Sequence, residues 1–152
     1  MKSFNELGLS PEFKQTIEKL GFTEPTEIQA KSIQDILDGK DVIGESATGS
    51  GKTLAFAAGI IAKCKKGQGL QAVVLLPTRE LALQVSQEIK KLSNNSLNIL
   101  PVYGGVSIEE QIHKLPMTDV VVATPGRFLD HLERRTIDIS KVKILVLDEA
   151  DR

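Results

Sequence analysis

Continuous apolar runs alternate with segments of helical periodicity through most of this chain. The runs "QAVVLLP" (71–77), "NILPVY" (98–103) and "DVVVAT" (119–124) are apolar on both faces of a strand. Between the first two runs, "RELALQVSQEIKKL" (79–92) repeats its apolar residues at helical spacing. Strands that are apolar on both faces and alternate with helices predict a parallel sheet covered by helices. The predicted fold class is therefore α/β.

Further elements are predicted around this pattern. Two helices come first, one capped by Ser10 and one capped by Thr26 that runs to about Leu37. Phe13, Ile17 and Leu20 are expected on one face of the first helix. The remaining predicted strands are "DVIG" (41–44) and "VKILVLDEAD" (142–151), and the remaining predicted helices cover 53–64, 108–115 and 126–135.

Most of the unusual residues follow the ends of the predicted strands. In open parallel sheets, ligands bind beyond the carboxyl ends of the strands. A single site surface is therefore expected there. Its candidate segments are Gly49 to Thr53, Pro77 to Arg79, Gly104 and Gly105, Thr124 to Arg127, and Asp148 to Asp151.

Composition limits the class of protein. The 152 residues make one ordinary domain at most. The net charge of −1 excludes a global basic field, so any binding of nucleic acid must come from a local patch and from backbone groups. The single Cys64 cannot form an internal disulfide, and no apolar run approaches the length of a membrane span. We therefore expect a cytoplasmic protein without a membrane partner. His113 and His131 are interpreted as surface helix residues that bind no metal.

The stretch "VIGESATGSGKTLAF" (42–56) predicts a phosphate-binding loop between a strand and a helix. Glycines let successive backbone N–H groups point at phosphate oxygens, and the helix N-terminus favours an anion. Lys52 is expected to reach the β- and γ-phosphates, and the Thr53 hydroxyl is expected to bind Mg²⁺. Ser46 stands where the general pattern G-x-x-x-x-G-K-[ST] has its first glycine. The alternative is a glycine-rich turn without a ligand.

Two acids end the last predicted strand, "ILVLDEAD". A buried strand that brings a carboxylate beside a phosphate loop is a common way to bind Mg²⁺. Asp148 is expected to bind the ion through its waters. Glu149 is expected to orient or deprotonate the attacking water. The alternative is an acidic strand end exposed to solvent.

With these residues in view, the chain closely resembles the DEAD-box family of ATP-dependent RNA helicases, from Phe4 to Asp151. The tetrad "DEAD" stands at 148–151, and "SATGSGKT" (46–53) matches the phosphate loop of the family, in which Ala is usual at the place of Ser46. The resemblance also includes "GFTEPTEIQ" (21–29), "PTRELA" (77–82), "GG" (104–105) and "TPGR" (124–127). It implies a RecA-like P-loop domain with helices on both faces of its sheet. The domain is incomplete, because its C-terminal strands are absent.

The resemblance assigns ligands to residues. Phe22 would stack on adenine, Gln29 would bind the edge of the base, and Thr26 would assist. The rest of the ATP site would be Ser46, Ala47, Thr48, Gly49, Ser50, Gly51, Lys52 and Thr53, with Thr53 and Asp148 on Mg²⁺ and with Lys52, Asp148 and Glu149 as the catalytic residues. The RNA backbone would be bound by Pro77, Thr78, Arg79, Gly105, Thr124, Gly126 and Arg127, without preference for base sequence. Lys114 stands where the family often has Arg after Gln111.

The family continues beyond the DEAD tetrad with a second RecA-like domain, which closes over ATP and RNA. Residues 1–40 are expected to form a helical adenine-recognition segment and residues 41–152 a partial RecA-like ATP-binding domain, together one domain. In the family a further strand lies between the phosphate-loop strand and the DEAD strand. We therefore expect exposed sheet edges that permit self-association.

The parent protein would couple ATP hydrolysis to unwinding of RNA duplexes. The chain alone would be inactive as a helicase. Two other readings are a catalytically silent nucleotide- and RNA-binding module and a structural fragment.

Overall fold

The structure is a computed structural model that describes residues 2–47, 49 and 51–150. It divides into two units, which are described one at a time. The first unit contains the chain up to Lys63 together with Lys91–Asn94. The second unit contains Cys64–Lys90 together with the chain from Asn95 onward.

Helices form the first unit. After a short 3₁₀ turn at Phe4–Glu6, the unit contains α1 (Pro11–Lys19), α2 (Glu27–Leu37) and α3 (Lys52–Lys63). The predicted start of α1 is confirmed, because the Ser10 hydroxyl accepts a hydrogen bond from the N–H of Phe13 at 3.1 Å. In the same unit α2 packs against α3, where the Ile36 side chain lies against Gly59.

One residue of the predicted apolar face of α1 is not buried. Phe13 and Ile17 are buried as expected, whereas Leu20 is exposed. The reason is that α1 ends at Lys19. Beyond that point the helical periodicity no longer brings a side chain back to the buried face.

The strand predicted at 41–44 is wrong for this chain. Within the described part of the structure, residues 40–47 form neither helix nor strand. Ile43 is fully exposed and Val42 is exposed. A strand forms only when its backbone groups pair with those of a neighbour, and apolar character by itself does not supply that partner.

A parallel sheet forms the second unit, and the prediction of an α/β fold is confirmed. The strands are β1 (Ala72–Leu75), β2 (Ile99–Val102), β3 (Val120–Ala123) and β4 (Ile144–Leu147), in the order β2-β3-β1-β4. All three pairings between neighbours are parallel. The helices that follow the first three strands are α4 (Arg79–Ser93), α5 (Ile108–Lys114) and α6 (Pro125–Arg134), and a 3₁₀ turn at Leu115–Met117 follows α5. No helix in the described ranges is long and apolar enough to cross a bilayer.

The core of the second unit lies on the central strands. Every residue of β3 is buried, as are the first three residues of β1. By contrast, β4 alternates between half-buried and exposed side chains, and Leu145 and Leu147 are each 61% exposed. Since β4 is last in the strand order, this alternation marks it as the apolar edge of the described sheet.

Candidate functional site

The predicted phosphate loop leads into the N-terminus of α3. Lys52 is the first residue of this helix and Thr53 the second. The first N–H groups of a helix have no partner within the helix, so they are available to an anion. Gly49 and Gly51 have φ angles of 83° and 92°, in the left-handed region that favours glycine. Ser46 is half-buried and Ala47 is exposed, whereas Thr48 and Ser50, which were also predicted to bind nucleotide, lie outside the described residues.

Gln29 connects the start of α2 to this loop. Its side-chain oxygen accepts a hydrogen bond from the N–H of Thr26 at 2.9 Å. Its side-chain NH₂ donates to the backbone carbonyl of Gly51 at 3.1 Å. Gln29 is only 1% exposed, so its side chain is not solvated as it would be on an exposed helix face. The hydrogen bond from Thr26 belongs to the reciprocal capping typical of a helix N-terminus. The hydrogen bond to Gly51 connects this helix start to the predicted phosphate loop.

The contact leaves no room for a side chain at position 51. A Cβ atom at Gly51 would overlap the amide nitrogen of Gln29 and would lie 2.9 Å from the Thr26 hydroxyl. The neighbouring Gly49 shares the left-handed backbone, but a Cβ there would meet no described atom within 4 Å. Position 51 therefore needs glycine for two reasons, backbone conformation and space, whereas position 49 needs it for backbone conformation alone.

Phe22 follows α1 in an exposed position of the first unit. Its backbone N–H donates to the carbonyl of Ile17 at 3.0 Å, which holds the chain as it leaves the helix. The exposed ring is available to a planar ligand, and stacking on adenine stays a prediction. Phe4, by contrast, is buried in the 3₁₀ turn and belongs to the core.

In the second unit, the residues after the four strands meet at one edge of the sheet, because parallel strands end together. The N–H of Asp148 donates to the carbonyl of Leu75 at 3.0 Å, so Asp148 follows β4 directly beside the end of β1. The Asp148 carboxylate accepts a hydrogen bond from the N–H of Glu149 at 3.1 Å. Glu149 has a φ of 56°, which is uncommon for a residue other than glycine and often marks a functional position.

Arg79 lies at this edge after β1. Its guanidinium carbon is 4.7 Å from the centroid of the Tyr103 ring, at the end of β2. A cation over an aromatic face is held in place while its N–H groups remain able to bind another group. Thr78 caps α4, because its hydroxyl accepts from the N–H of Leu81 at 3.2 Å, and Pro77 is half-buried.

Open space surrounds the glycines of the same edge. A Cβ atom at Gly104, Gly105 or Gly126 would find no described atom within 4 Å. Gly105 has a φ of 82°, so the backbone conformation explains the glycine at that position. Thr124 precedes α6 as its N-cap residue. These backbone segments are accessible to a ligand that approaches the ends of the strands.

Arg127 is anchored within the protein. One terminal nitrogen donates to the side-chain oxygen of Gln111 at 3.1 Å, and the other donates to the carbonyl of Val106 at 3.0 Å. Its Nε lies 3.9 Å from the Asp130 carboxylate, and the side chain is 13% exposed. Arg127 is therefore not an ordinary solvated surface charge. Arginine has five N–H donors, so these contacts leave others available.

Three residues of this arrangement were not predicted as site residues, namely Tyr103, Gln111 and His131. The interpretation of His131 as a surface residue is wrong, since it is completely buried, whereas His113 is exposed as expected. Both ring nitrogens of His131 face polar groups, the Thr136 hydroxyl at 2.7 Å and the Gln111 side-chain oxygen at 2.9 Å. Burial and the nearby Arg127 lower the pKa of His131. The only sequence signal was the spacing of His131 from Arg127, one turn along α6.

Comparison with known proteins agrees with these features. Residues 26–152 match the family model described as DEAD/DEAH box helicase. The chain is 49% identical to the DEAD-box ATP-dependent RNA helicase CshA of Geobacillus kaustophilus and 47% identical to the ATP-dependent RNA helicase CshA of Listeria monocytogenes. Each alignment covers 99% of this chain.

Solved structures give the same result. A crystal structure of a DEAD box protein from Methanococcus jannaschii matches 98% of this chain and 42% of its own, with a TM-score of 0.94 and 44% identity. A hypothetical ATP-dependent RNA helicase from Sulfolobus tokodaii matches 93% of this chain and 42% of its own, with a TM-score of 0.85 and 40% identity.

The matched relatives are longer than this chain, which spans 33% of the Geobacillus protein and 30% of the Listeria protein. The fold is a partial RecA-like α/β domain, as predicted. The predicted phosphate loop at the start of α3, the strand-end residues of the sheet and the match over residues 26–152 lead to one conclusion: the chain belongs to the DEAD/DEAH box helicase family.

Proposed function

We propose that this chain is the ATP-binding part of an RNA helicase that couples ATP hydrolysis to local separation of RNA duplexes. The observation that carries the proposal is the assembly of Arg79, Gly105, Arg127 and Asp148 at the carboxyl end of one parallel sheet. Cationic groups suitable for phosphates thus lie on the same edge as the acidic pair. The names of the relatives support an ATP-dependent reaction on RNA.

The residues of the phosphate loop fit a nucleotide triphosphate. The left-handed backbone at Gly49 and Gly51 and the N-terminus of α3 would together form a cradle for anionic oxygens. Lys52 would neutralise the β- and γ-phosphates. Phe22 would stack on the base.

Gln29 would recognise adenine while it also holds the phosphate loop through its hydrogen bond to Gly51. Its carboxamide makes two hydrogen bonds within the protein, and an amide can form up to two more, one N–H donating and one lone pair accepting. A base that engages Gln29 therefore acts on the same side chain that holds Gly51. We propose that this shared side chain links recognition of the base to the shape of the phosphate loop.

Mg²⁺ would be bound by oxygen ligands from Thr53 and Asp148, a donor set that suits this ion. The ion would neutralise charge that develops on the transferred phosphoryl group. Glu149 would orient or deprotonate the attacking water. Its left-handed backbone and the hydrogen bond from its N–H to Asp148 support a defined placement of the two carboxylates after β4.

RNA would be bound through its sugar–phosphate backbone. Arg79 and Arg127 supply positive charge, whereas Pro77, Thr78, Gly105, Thr124 and Gly126 supply accessible backbone and hydroxyl groups at the same edge. Contacts of this kind position a strand without reading its bases. The near-neutral net charge is compatible with such local binding.

A second RecA-like domain is required for turnover in this proposal, so the chain alone is inactive as a helicase. We also propose that β4 permits self-association of the isolated chain, because its exposed Leu145 and Leu147 lie on the edge strand. Sedimentation equilibrium tests this point. A dimer that becomes a monomer in Leu145→Lys supports it, and a monomer in both cases refutes it.

We place the function in the cytosol. There the single Cys64 stays reduced, and burial, which raises the pKa of its thiol to about 11, keeps it unreactive.

The experiment for the proposed function uses the longer protein, in which a second RecA-like domain would follow this chain. It measures binding of a fluorescent ATP analogue and ATP turnover in that protein and in its Lys52→Ala variant. Loss of the ammonium leaves the triphosphate charge uncompensated, so binding or hydrolysis should be abolished. Lys63→Ala, at the other end of α3, is the matched control and should behave as the parent does. Equal ATPase rates for Lys52→Ala and parent would refute the assignment.

A further inference from the structure

Gln111 is a buried connection in the second unit. It lies on α5 and is 5% exposed. Its side-chain nitrogen donates to the carbonyl of Tyr103 at 3.0 Å. Its side-chain oxygen accepts from Arg127 at 3.1 Å and lies 2.9 Å from Nε2 of His131. The amide of this α5 residue therefore connects the end of β2 to α6.

These contacts place a hydrogen on Nε2 of His131. The Tyr103 carbonyl can only accept, so the nitrogen of the Gln111 amide must face it and the oxygen must face Arg127 and His131. An amide oxygen can only accept, so Nε2 of His131 must carry a hydrogen. Nδ1 faces the Thr136 hydroxyl at 2.7 Å, and the same hydroxyl also lies 3.2 Å from the backbone carbonyl of His131.

We propose that His131 is a positioning residue for RNA, which acts through Gln111 to hold Arg127 in a fixed orientation toward the backbone phosphates. The inference rests on the proposed RNA-binding function. His131 lies in the core and would not itself touch RNA.

The mechanism is preorganisation of a charged donor. Arg127 donates to Gln111 through one terminal nitrogen and to the Val106 carbonyl through the other, and each terminal nitrogen has a second hydrogen. A guanidinium that is already held loses less side-chain entropy when a phosphate binds. The His131 hydrogen bond keeps the Gln111 oxygen in the place that Arg127 requires.

The same amide reaches the other proposed RNA-binding arginine. Gln111 holds the backbone of Tyr103, and the Tyr103 ring lies under Arg79 at 4.7 Å. Both arginines therefore depend on one buried side chain. A disturbance at His131 should be felt most at Arg127, which shares the Gln111 oxygen with it, and less at Arg79.

Two substitutions separate positioning from packing. In His131→Gln, the longer side chain can place an amide N–H near the position of Nε2, so the donor to Gln111 is retained. In His131→Asn, the shorter side chain reaches the position of Nδ1 and can bond only to Thr136. Both remove the aromatic ring, so a role in packing alone predicts similar losses.

The experiment measures binding of a fluorescein-labelled single-stranded RNA by anisotropy in the longer protein, with thermal unfolding as the measure of folding. Binding about threefold to tenfold weaker in His131→Asn, with His131→Gln within about twofold of the parent, is the expected result for one lost hydrogen bond. Equal losses in both variants, or no loss in either, would overturn the inference.

A second measurement does not depend on RNA. In the ¹⁵N-labelled 152-residue chain, the side-chain N–H signals of Arg127, assigned by their loss in Arg127→Lys, should show a restricted guanidinium in the parent and in His131→Gln. They should be averaged by rotation in His131→Asn. A mobile guanidinium in the parent overturns the positioning role. A restricted guanidinium in a protein that binds no RNA would instead refute the proposed function.

Discussion

The side-chain amide of Gln29 donates a hydrogen bond of 3.1 Å to the backbone carbonyl of Gly51. A residue at the start of α2 thus holds the loop that leads into α3. Because the same amide also accepts from the N–H of Thr26 at 2.9 Å, the geometry of the helix start and the position of the loop are joined through one buried side chain.

Replacement of Gln29 by Ala in the longer protein should weaken binding of both ATP and GTP, and of ATP more. Both nucleotides lose the ordered loop, whereas only ATP loses a base contact, worth about 0.5–1.5 kcal/mol for a neutral hydrogen bond. Competition of each nucleotide against a fluorescent analogue measures the difference. If the two affinities fall equally, Gln29 acts on the loop alone and does not recognise the base.

Gly51→Ala should destabilise the chain more than Gly49→Ala. Both substitutions place a Cβ in a left-handed backbone, at a cost of about 1–2 kcal/mol. Only Gly51→Ala also displaces the Gln29 amide, because the space beside Gly49 is open. Urea unfolding of the 152-residue chain compares the two. Removal of the Gln29 amide should reduce the difference, and equal costs would show that the loop relaxes freely.

Arg127→Ala should weaken RNA binding and make it less sensitive to salt. Loss of one phosphate contact lowers the slope of log K against log salt by about 0.7 for a single strand. Arg135→Ala is the matched control, since Arg135 is an exposed arginine just beyond the end of α6. Titrations of labelled RNA at several salt concentrations give both slopes. An unchanged slope for Arg127→Ala would show that Arg127 makes no phosphate contact and has a structural role only.

The free energy of unfolding should decrease as the pH is lowered through the titration of His131. Desolvation lowers the folded-state pKa of this ring; Arg127 and Arg134 act in the same direction, and Asp130 opposes them. Its stabilisation is therefore complete above the unfolded pKa of about 6.5 and is lost as the pH falls from there through the lower folded pKa. Urea unfolding between pH 7.5 and pH 5 should show this loss in the parent and in His113→Gln, at the exposed histidine, but not in His131→Gln. Parallel curves for all three proteins would contradict it.

The 152-residue chain should show no ATPase activity that RNA stimulates. Phosphoryl transfer needs positive charge on more than one side of the γ-phosphate, and an arginine from outside the loop is worth about 10³–10⁵ in rate. In the proposed function, Lys52, Thr53, Asp148 and Glu149 would supply only part of such a site. Steady-state turnover with and without single-stranded RNA, beside the longer protein, tests this. Turnover within about tenfold of the longer protein that rises with RNA would contradict the requirement for a second domain.

Two features follow from the order of the amino acids alone: the α/β class, and the edge at which the candidate residues of the sheet lie. Runs such as 71–77 and 119–124 are apolar on both faces, and only the interior of a sheet covers both faces of a strand. Parallel strands end at the same edge, so the positions of Arg79, Gly105 and Asp148 followed from their places after strands. Local patterns sufficed because two signals can be recognised within short segments: apolar residues on both faces of a strand, and the helical periodicity of the connections that make successive strands parallel.

The pairing of side chains, by contrast, depends on the three-dimensional fold. The bonds from Gln29 to Gly51, from Arg127 to Gln111 and from His131 to Gln111 join residues that are 22, 16 and 20 positions apart. No periodicity within one helix contains that information. The segment at 41–44 is likewise apolar enough for a strand, yet it forms none, because a strand needs a neighbour for its backbone hydrogen bonds. Partner choice depends on what the whole fold brings together, and the sequence pattern of one element does not encode it.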